Sequence, residues 1–413
     1  GEGLFSPSTT GEQFPIILPD YVHLIGTSRE TSILDAEADF DKESRVIKIV
    51  EECENIKVAN FTITGGNAAS AGCIGGGGIL VTHPDLEYVY DGPVSPVNAV
   101  FENLIVTDNT SVAGSGISIW RVSGPTLSNL IIQDNTSEHY GGGLMIFSAT
   151  ASVTDVVVTG NNCYRNDSYG GGMIINNSET TLANVTVTDN TATSGGGIFI
   201  LDTDATLINL TVSGNTATAF GGGLLVGPNT NPTLTNSIIW GNDPTQIQGF
   251  GTPIITYSDI EGGWNGVGNI ASDPLFCNPD SSDFTLEENS PCIGTGEDGT
   301  NMGAFDVGCE AILLIDNDVI PLKYYLHQNY PNPFNPITTL SYDLSEDAMV
   351  NITIYDMMGR QVKTLTNGFQ TSGHKSVQWN AANNQGQPAS AGIYLYKIQA
   401  GDFVDTKKMI LLK

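Results

Sequence analysis

The segment Asn184-Val-Thr-Val-Thr-Asp-Asn190 is one of six similar segments that recur through the middle of the chain. The last asparagines of the six are spaced 26, 26, 29, 25 and 27 residues apart. A repeat of this length predicts a solenoid, because each repeat buries its apolar face only by stacking on its neighbours. The other five segments are 103–109, 129–135, 155–161, 209–215 and 236–242.

One repeat, or coil, is predicted to contain three short strands. Val185 and Val187 alternate with Thr186, so the valines point to one side and the threonine to the other. A second strand is predicted at 198–200 and a third at 206–207. Because the same order recurs in every coil, each strand pairs with its own copy in the next coil. The pattern therefore predicts three parallel sheets wound into a parallel β-helix.

Five columns of aliphatic residues are predicted to point inward and form the core, at about 4.8 Å of height per coil. The columns are Leu104, Leu130, Val156, Val185 and Leu210; Val106, Ile132, Val158, Val187, Val212 and Ile239; Ile117, Leu144, Met173, Ile198 and Leu224; Ile119, Ile146, Ile175, Ile200 and Val226; and Leu127, Val153, Leu182, Leu207 and Leu234.

The asparagine that ends each segment is predicted to form a turn. Asparagine tolerates the left-handed backbone conformation, and stacked asparagine amides can hydrogen-bond along the column. Glycine runs follow each turn and are expected to supply positive φ and close approach between coils. They lack the Lys-Ser/Thr and helix of a phosphate loop. The predicted turn ladder is Asn109, Asn135, Asn161, Asn190, Asn215 and Asn242.

The composition excludes several classes of partner. Acidic residues number 45 against 15 basic ones, which gives a net charge of -30. Nucleic acid and anionic membrane surfaces require clustered Lys and Arg, so neither is expected as a partner. No apolar run is long enough to predict a transmembrane segment. The lack of a signal peptide suggests that Gly1 is a processed or trimmed start.

The chain has six cysteines and no CxxC pair, which argues against a zinc site. An even number of cysteines in a secreted chain permits disulfides, although the sequence leaves their connectivity open. Cys53 and Cys73 lie about one coil apart, and Cys277, Cys292 and Cys309 cluster in one region.

Several segments resemble secreted bacterial right-handed β-helix proteins with pectin-lyase-like folds. They include Asn60-Phe-Thr-Ile-Thr-Gly-Gly66, the Gly-Gly-Gly-Ile and Gly-Gly-Gly-Leu steps, and Asn236-Ser-Ile-Ile-Trp-Gly-Asn242. The opening Ser6-Pro-Ser-Thr-Thr-Gly resembles a sub-group of unassigned function. The resemblance covers about residues 1–311 and implies a β-helix body at 1–245 with irregular closing coils at 246–311. It implies a fold and no particular activity.

The composition changes after Glu310, basic residues return from Lys323 onward, and a linker is predicted at 312–325. Alternating strands beyond it predict a small antiparallel, immunoglobulin-like β-sandwich, so the whole chain is expected to be all-β. Asn329-Tyr-Pro-Asn-Pro-Phe-Asn-Pro336 and the strands that follow make residues 326–413 similar to the C-terminal sorting domain of type IX secretion substrates. That resemblance implies export to the outer-membrane surface or medium of a Gram-negative bacterium. The alternative is an ordinary immunoglobulin-like module without a sorting role.

The candidate catalytic residues are weak. Asp108 and Asp134 occupy equivalent places on adjacent coils, and a retaining glycosidase pair would require about 5–5.5 Å between its carboxyl groups. With Asp189 they are also weak candidates for Ca²⁺, and no other cofactor is expected. Glycine fills the same place in other coils, which favours a turn. A lyase base among Arg121 and Arg165 is poorly supported, because they lie on different coils.

One outward-pointing column is unexpectedly apolar, although an open sheet face should be polar. It could be covered by the insertion at 83–96 or by the C-terminal module. Alternatively, it could be a docking face for a glycan or for another copy of the chain. The apolar stripe comprises Leu80, Met145, Ile174, Phe199 and Leu225, with Ser118 between the first two.

The sequence therefore predicts a secreted cell-surface β-helix protein with a structural, adhesive or self-assembling role. The expected partners are the type IX secretion machinery, a surface glycan or a second copy of the chain. The alternative is an enzyme that degrades polysaccharides. The sequence favours a non-catalytic role without excluding an enzyme.

Overall fold

The computed structural model describes residues 2–39, 41–50, 54–69, 74–82, 95–310, 323–329, 331–401 and 403–412. The chain divides into two compact units, Gly1–Ala311 and Ile312–Lys413. Most of the predicted linker at 312–325 lies outside the described residues. None of the described helices is long and apolar enough to cross a membrane.

Three parallel sheets, A, B and C, build the first unit among the described residues. Sheet A contains Gly3–Phe5, His23–Ile25, Ser32–Asp35, Ile56–Thr64, Ser95–Pro96, Ala99–Thr107, Val122–Gln133, Thr150–Thr159, Glu179–Thr188, Thr206–Ser213, Thr233–Thr235, Ile238–Trp240, Ile254–Thr256 and Asp259–Ile260. Sheet B contains Ile16–Ile17, Ile47–Val50, Ile79–Thr82, Ile117–Trp120, Leu144–Phe147, Met173–Asn176, Ile198–Leu201, Leu224–Val226 and Ile247–Gly249. Sheet C contains Asn67–Ala68, Thr110–Ala113, Thr136–Tyr140, Asn162–Cys163, Thr191–Ser194 and Thr216–Phe220.

The parallel β-helix is confirmed, but the predicted division of each coil into strands is wrong. The stretch at 206–207 is not a separate strand, because it continues through Asn209 into the next repeat segment as Thr206–Ser213. Asn209 has φ of 54° and bends the strand, while the residues on both sides keep their pairing with the previous coil. The third sheet is instead sheet C, whose strands lie between the turn asparagine and the glycine run. Its short strands, such as Thr191–Ser194, lack an apolar alternation strong enough to predict them.

The predicted inward columns form the core. Leu104, Leu130 and Val156 stand in register on neighbouring strands of sheet A, and each is at most 1% exposed. The same columns belong to one continuous cluster of buried residues. Burying one such side chain contributes roughly 1.5–3 kcal/mol to the free energy of folding. The stacked aliphatic columns therefore supply the main stabilisation of this unit.

The turn between sheets A and C differs from the prediction by one residue. The left-handed residue is the one before each asparagine, as at Asp134 with φ of 54° and Gly160 with φ of 65°. The asparagine itself points inward and is fully buried at Asn135. Its Nδ2 donates to Oδ1 of Asn161 at 3.0 Å and to the carbonyl of Gln133 at 2.8 Å. The side chain therefore satisfies backbone groups inside the turn and links one coil to the next. The equivalent amide-to-amide bonds join Asn109 to Asn135, Asn161 to Asn190, Asn190 to Asn215 and Asn215 to Asn242.

The glycine runs serve the two purposes expected of them. Gly170 has φ of +67°, a backbone conformation that residues with a Cβ rarely adopt. A Cβ added to Gly142 would lie 2.2 Å from the carbonyl oxygen of Gly171 on the next coil. Glycine is therefore required there by close packing of successive coils.

The closing region at 246–310 contains a three-stranded sheet and a disulfide. Cys277 and Cys309 are bridged, with 6.0 Å between their Cα atoms, while Cys163 and Cys292 are buried free thiols. Cys53 and Cys73 lie outside the described residues. The strands of this sheet are Phe276–Asn278, Asp283–Glu287 and Val307–Cys309, and short 3₁₀ turns occupy Pro279–Ser281 and Glu297–Gly299.

The second unit is the predicted small antiparallel sandwich. Its core combines aliphatic residues with large aromatic ones, including the fully buried side chains of Trp379, Tyr342 and Tyr396. Phe334, from the proline-rich segment, is inserted into the same core, and the backbone N–H of Asn329 donates to the hydroxyl of Tyr396 at 2.9 Å. One sheet contains Tyr325–Leu326, Thr338–Leu344 and Gly373–Trp379, and the other contains Gln361–Gln370, Ala348–Asp356, Gly392–Ala400 and Phe403–Leu411.

Candidate functional site

The apolar stripe lies in register on the outward side of sheet B. Met145 pairs with Ile174, and Ile174 pairs with Phe199 on the following strand. The five stripe side chains are nevertheless only 0–8% exposed. The sequence left open whether this stripe is covered or is a docking face, and aromatic side chains from the coils themselves pack against it. The insertion at 83–96, proposed as a cover, lies outside the described residues except for 95 and 96.

A second outward column on the same sheet forms one flank of the stripe. Trp120 pairs with Phe147, and their rings stack at 4.1 Å between centroids with 7° between planes. Asn176 and Leu201 continue this column on the next two strands.

The other flank is formed by two tyrosines that immediately precede glycine runs. Tyr140 ends the sheet C strand Thr136–Tyr140, and Tyr169 pairs with it in an isolated bridge. Tyr140 and Tyr169 stack at 6.1 Å between centroids, and Tyr169 stacks on Phe199 at 5.2 Å. Both flanks have a signal in the sequence. The inward–outward alternation of each sheet B strand indicates the first flank, and the residue before each glycine run indicates the second. Only the stripe itself was predicted.

The stripe and its flanks enclose a groove of about 360 Å³, called the aromatic groove below. A volume of this size is within the range of small-molecule sites, which are mostly apolar with few polar groups. Asn176 supplies the only amide among the described lining residues, and none of them carries a formal charge at neutral pH. The lining residues are Trp120, Tyr140, Met145, Phe147, Tyr169, Ile174, Asn176, Phe199 and Leu201.

A larger and polar groove, of about 1070 Å³, begins one residue further along each coil. Arg121 follows Trp120 and is only 2% exposed, and Asn177 follows Asn176. The Nδ2 of Asn177 donates to the hydroxyl of Ser148 at 3.0 Å. Exposed carboxylates also line this polar groove, namely those of Glu179, Asp202 and Asp204.

The two arginines considered for a lyase are not equivalent. Arg121 lines the polar groove, whereas Arg165 lies on the surface with its guanidinium 2.8 Å from the carboxylate of Glu138. Arg165 is therefore held in an ion pair with Glu138. The positions of Arg121 and Arg165 give no support to a lyase base at either residue.

The aspartates proposed as catalytic or calcium-binding groups are exposed turn residues. Asp108 and Asp134 have φ of 55° and 54°, and Asp189 has φ of 57°. Burial raises the pKa of the Asp134 carboxyl, and the negative charge of Asp108 raises it further. Burial also raises the pKa of Asp189. No group of three or more His, Cys, Asp or Glu in the described part of the chain is arranged to hold a metal ion.

A further buried pair of titratable groups lies in the closing region. The thiol of Cys292 donates to Oδ2 of Asp259 at 3.2 Å, and the backbone N–H of Ser272 donates to Oδ1 at 3.1 Å. Both side chains are fully buried. Burial is the largest influence on Asp259 and raises its pKa, although these two hydrogen bonds act in the opposite direction.

Comparison with protein families matches the two units separately. A model described as a right-handed β-helix region matches residues 47–217. The first unit is a right-handed β-helix. A model described as an FlgD Ig-like domain matches residues 336–402. No curated protein matches the chain significantly.

Three solved structures show distant similarity to this chain. PorU of Porphyromonas gingivalis is 21% identical over 22% of this chain and 9% of its own, with a TM-score of 0.19. PorZ, a surface component of the type IX secretion system of the same bacterium, is 20% identical over 23% and 13%, with a TM-score of 0.18. The tailspike of Pseudomonas phage phi297 is 11% identical over 89% and 64%, with a TM-score of 0.18. The chain thus spans only a small part of PorU and PorZ, and scores this low carry no argument about its function.

Proposed function

We propose that this chain is an extracellular, cell-surface β-helix protein of a Gram-negative bacterium with an adhesive role, and that it binds a glycan in the aromatic groove. The observation that carries the proposal is the conjunction of stacked aromatic flanks and an apolar floor on the outward face of sheet B. The faces of sugar rings carry C–H groups and pack on aromatic rings, while their hydroxyl groups project from the edges. Aromatic side chains supply large apolar contact areas of this kind.

The lining of the aromatic groove favours binding over catalysis. General acid–base chemistry requires a carboxyl, imidazole or similar group within hydrogen-bond reach of the reacting atoms. The described lining residues include no Asp, Glu, His, Lys or Arg.

Export through the type IX machinery is the second part of the proposal. It is supported by the resemblance of residues 326–413 to sorting domains and by their folding as a compact sandwich. The proline-rich segment that carries much of the resemblance is partly built into the core through Phe334. The recognised surface would therefore be the folded domain rather than an extended tail.

The export hypothesis is tested by expressing the chain behind a cleavable signal peptide in a type IX-competent bacterium. The full chain is expected at the cell surface or in the medium, whereas a variant lacking 326–413 should accumulate in the periplasm. A strain without the secretion apparatus provides the matched control. Equal surface delivery of both variants would reject a sorting role.

Adhesion is tested by applying the full chain to immobilised bacterial and plant polysaccharides. We expect retention of the chain on at least one glycan and loss of retention in the Tyr169→Ala variant. Tyr164→Ala is the matched control, since Tyr164 is 55% exposed and lies outside the groove. Retention that does not depend on Tyr169 would contradict the proposed site.

Polysaccharide hydrolysis is the second candidate function. It is favoured by one observation, the raised pKa of Asp134 beside the charge of Asp108. A carboxyl group with a raised pKa beside a second carboxylate is typical of a glycosidase acid and its partner. Incubation of the chain with glycans, followed by analysis of reducing ends, tests this function. Cleavage that persists in both Asp108→Asn and Asp134→Asn would eliminate this pair.

A further inference from the structure

The aromatic groove runs along the stacking direction of the coils. Trp120 and Phe147 lie on successive coils on one side, and Tyr140 and Tyr169 lie on successive coils on the other. Neighbouring strands in a sheet are spaced by about 4.8 Å. An elongated ligand that lies parallel to the axis of the β-helix therefore meets the half-buried rings of Phe147, Tyr140 and Tyr169, whereas Trp120 is only 3% exposed.

Charge restricts the class of ligand. The chain carries a net charge of -30, and exposed carboxylates of Glu179, Asp202 and Asp204 line the adjacent polar groove. A field of this sign disfavours an anionic polymer. A cationic polymer would find no carboxylate in the described lining of the aromatic groove. An uncharged polymer is not repelled by the negative charge of the chain and needs no carboxylate in the groove.

Asn176 provides the amide group among the described lining residues of the groove. It interrupts the apolar column between Phe147 and Leu201, and it is partly exposed. Its side-chain amide makes no hydrogen bond to any other described residue. An amide offers two donors and one acceptor oxygen, which suits the hydroxyl groups at the edge of a sugar ring.

We propose that the aromatic groove binds an uncharged polysaccharide chain lying along the helix axis, with Tyr169 packed on a sugar ring and Asn176 hydrogen-bonded to hydroxyl groups. This inference rests on the proposed glycan-binding function and specifies the class of glycan. Binding is accordingly insensitive to salt, because ion pairing does not contribute to it.

The test is calorimetric titration of the full chain with two sets of oligosaccharides. The uncharged set contains β-1,4-linked glucose, mannose and xylose oligomers, and the acidic set contains polygalacturonate and alginate fragments. We expect binding within the uncharged set only, with an affinity that is unchanged between low and high salt. Salt-sensitive binding of acidic fragments alone would overturn this inference and leave glycan adhesion standing. Absence of binding to either set would overturn both proposals.

Variants locate the binding. Tyr169→Ala is expected to weaken affinity by about tenfold or more, since aromatic anchors dominate such contacts. Tyr169→Phe, which keeps the ring, should retain most of the affinity, and Tyr164→Ala should retain all of it. Asn176→Asp replaces the amide donors with a charge and should also weaken binding by about tenfold. Full affinity in both Tyr169→Ala and Asn176→Asp would place the glycan elsewhere and reject the inference.

A second copy of the chain is the competing occupant of the groove. Sedimentation of the same variants without glycan distinguishes it. An unchanged sedimentation coefficient supports the glycan, whereas a dimer that dissociates in Tyr169→Ala would assign the groove to self-association and overturn the inference.

Discussion

The side chain of the buried asparagine in each turn hydrogen-bonds to several backbone groups at once. The Nδ2 of Asn161 donates to Asn190 Oδ1 and to the carbonyls of Ile132 and Thr159 at 2.9–3.0 Å. Its Oδ1 accepts from the backbone N–H of Asn135 at 3.0 Å. All of these groups lose their partner together if the amide is removed.

We therefore expect Asn161→Ala to lower the free energy of unfolding of the β-helix by about 3 kcal/mol or more, since each buried group left unpaired costs about 1–3 kcal/mol. Chemical denaturation followed by circular dichroism measures this change. Asn162→Ala is the matched control, because that neighbouring side chain makes no hydrogen bond to the described residues and should change stability by less than about 0.5 kcal/mol. Equal effects of the two substitutions would show that the ladder does not stabilise the fold.

The ladder positions could be read from the sequence, but the backbone conformation could not. Recurrence identified the six asparagines because their spacing is regular. Asparagine, aspartate and glycine all tolerate positive φ, so a pair such as Asp134–Asn135 does not reveal which member adopts it. The structure assigns the left-handed conformation to Asp134, since only the second residue can direct its side chain into the interior.

The buried carboxyl of Asp259 leads to a pH-dependent prediction. Its pKa is raised in the folded state, so the folded protein holds this proton more tightly than the unfolded chain does. The stabilisation from that proton is fully present below the ordinary pKa of aspartate and is lost as pH rises through the raised value. As pH rises above the ordinary pKa of aspartate, the cost of burying this charge increasingly opposes folding.

Asp259→Asn removes the charge and keeps one of the two acceptor oxygens, so it can accept from either Cys292 or Ser272 in the original geometry. We expect its melting temperature to exceed that of the unsubstituted chain at pH 7, with the difference shrinking as pH falls to 4. Thermal unfolding across this pH range measures it, with the exposed Asp280→Asn as control. A difference that is independent of pH would mean that Asp259 does not titrate during unfolding.

At the scale of elements, only one of the two outward columns of sheet B was predicted from the sequence. One outward column was noticed because four consecutive apolar residues broke the expected polarity. The adjacent column from Trp120 to Leu201 contains the polar Asn176 and was not singled out. In the other flank, Tyr140 ends a strand of sheet C, which was not predicted, and Tyr169 pairs with it in an isolated bridge. Each flank has a pattern in the sequence, but only the structure shows that the three parts of the coil lie side by side.

The disulfide is the element that closes the irregular region after the last regular coils. It joins Cys277 to Cys309, which are 32 residues apart, in a region with few long strands. By loop-closure entropy, a bridge of this span stabilises by about 3–4 kcal/mol. The sequence indicated that these cysteines cluster, but it could not choose among Cys277, Cys292 and Cys309.

We expect the Cys277→Ser/Cys309→Ser double variant to open locally. Amide hydrogen exchange should accelerate in residues 276–309 and remain unchanged in the coils at 144–201, because those coils have their own continuous core. Reductant should reproduce the effect in the unsubstituted chain and add nothing in the double variant. Uniform acceleration throughout the β-helix would show that the bridge stabilises the whole unit rather than its closing region.

At the scale of the whole molecule, the chain contains two cores built on different principles. The β-helix core consists of stacked aliphatic columns contributed by successive coils, whereas the sandwich core is centred on Trp379, Tyr342 and Tyr396. The division at 311/312 coincides with the change in composition after Glu310. Composition could locate this boundary because the two units differ in basic residues. It could not define the groove, which depends on contacts between residues far apart in sequence.

Two separate cores lead us to expect two unfolding transitions in scanning calorimetry of the full chain. Repeat units stabilise one another through neighbouring interfaces, so the β-helix should unfold cooperatively as one unit, and the sandwich should unfold independently of it. Leu340→Ala, in the sandwich core, should lower only the sandwich transition, by an amount that corresponds to about 2–5 kcal/mol. Leu182→Ala is the matched substitution in the β-helix core and should lower only the other transition. If either substitution shifted both transitions equally, the two units would be thermodynamically coupled. That result would reject the hypothesis that the sorting domain acts as a separable module.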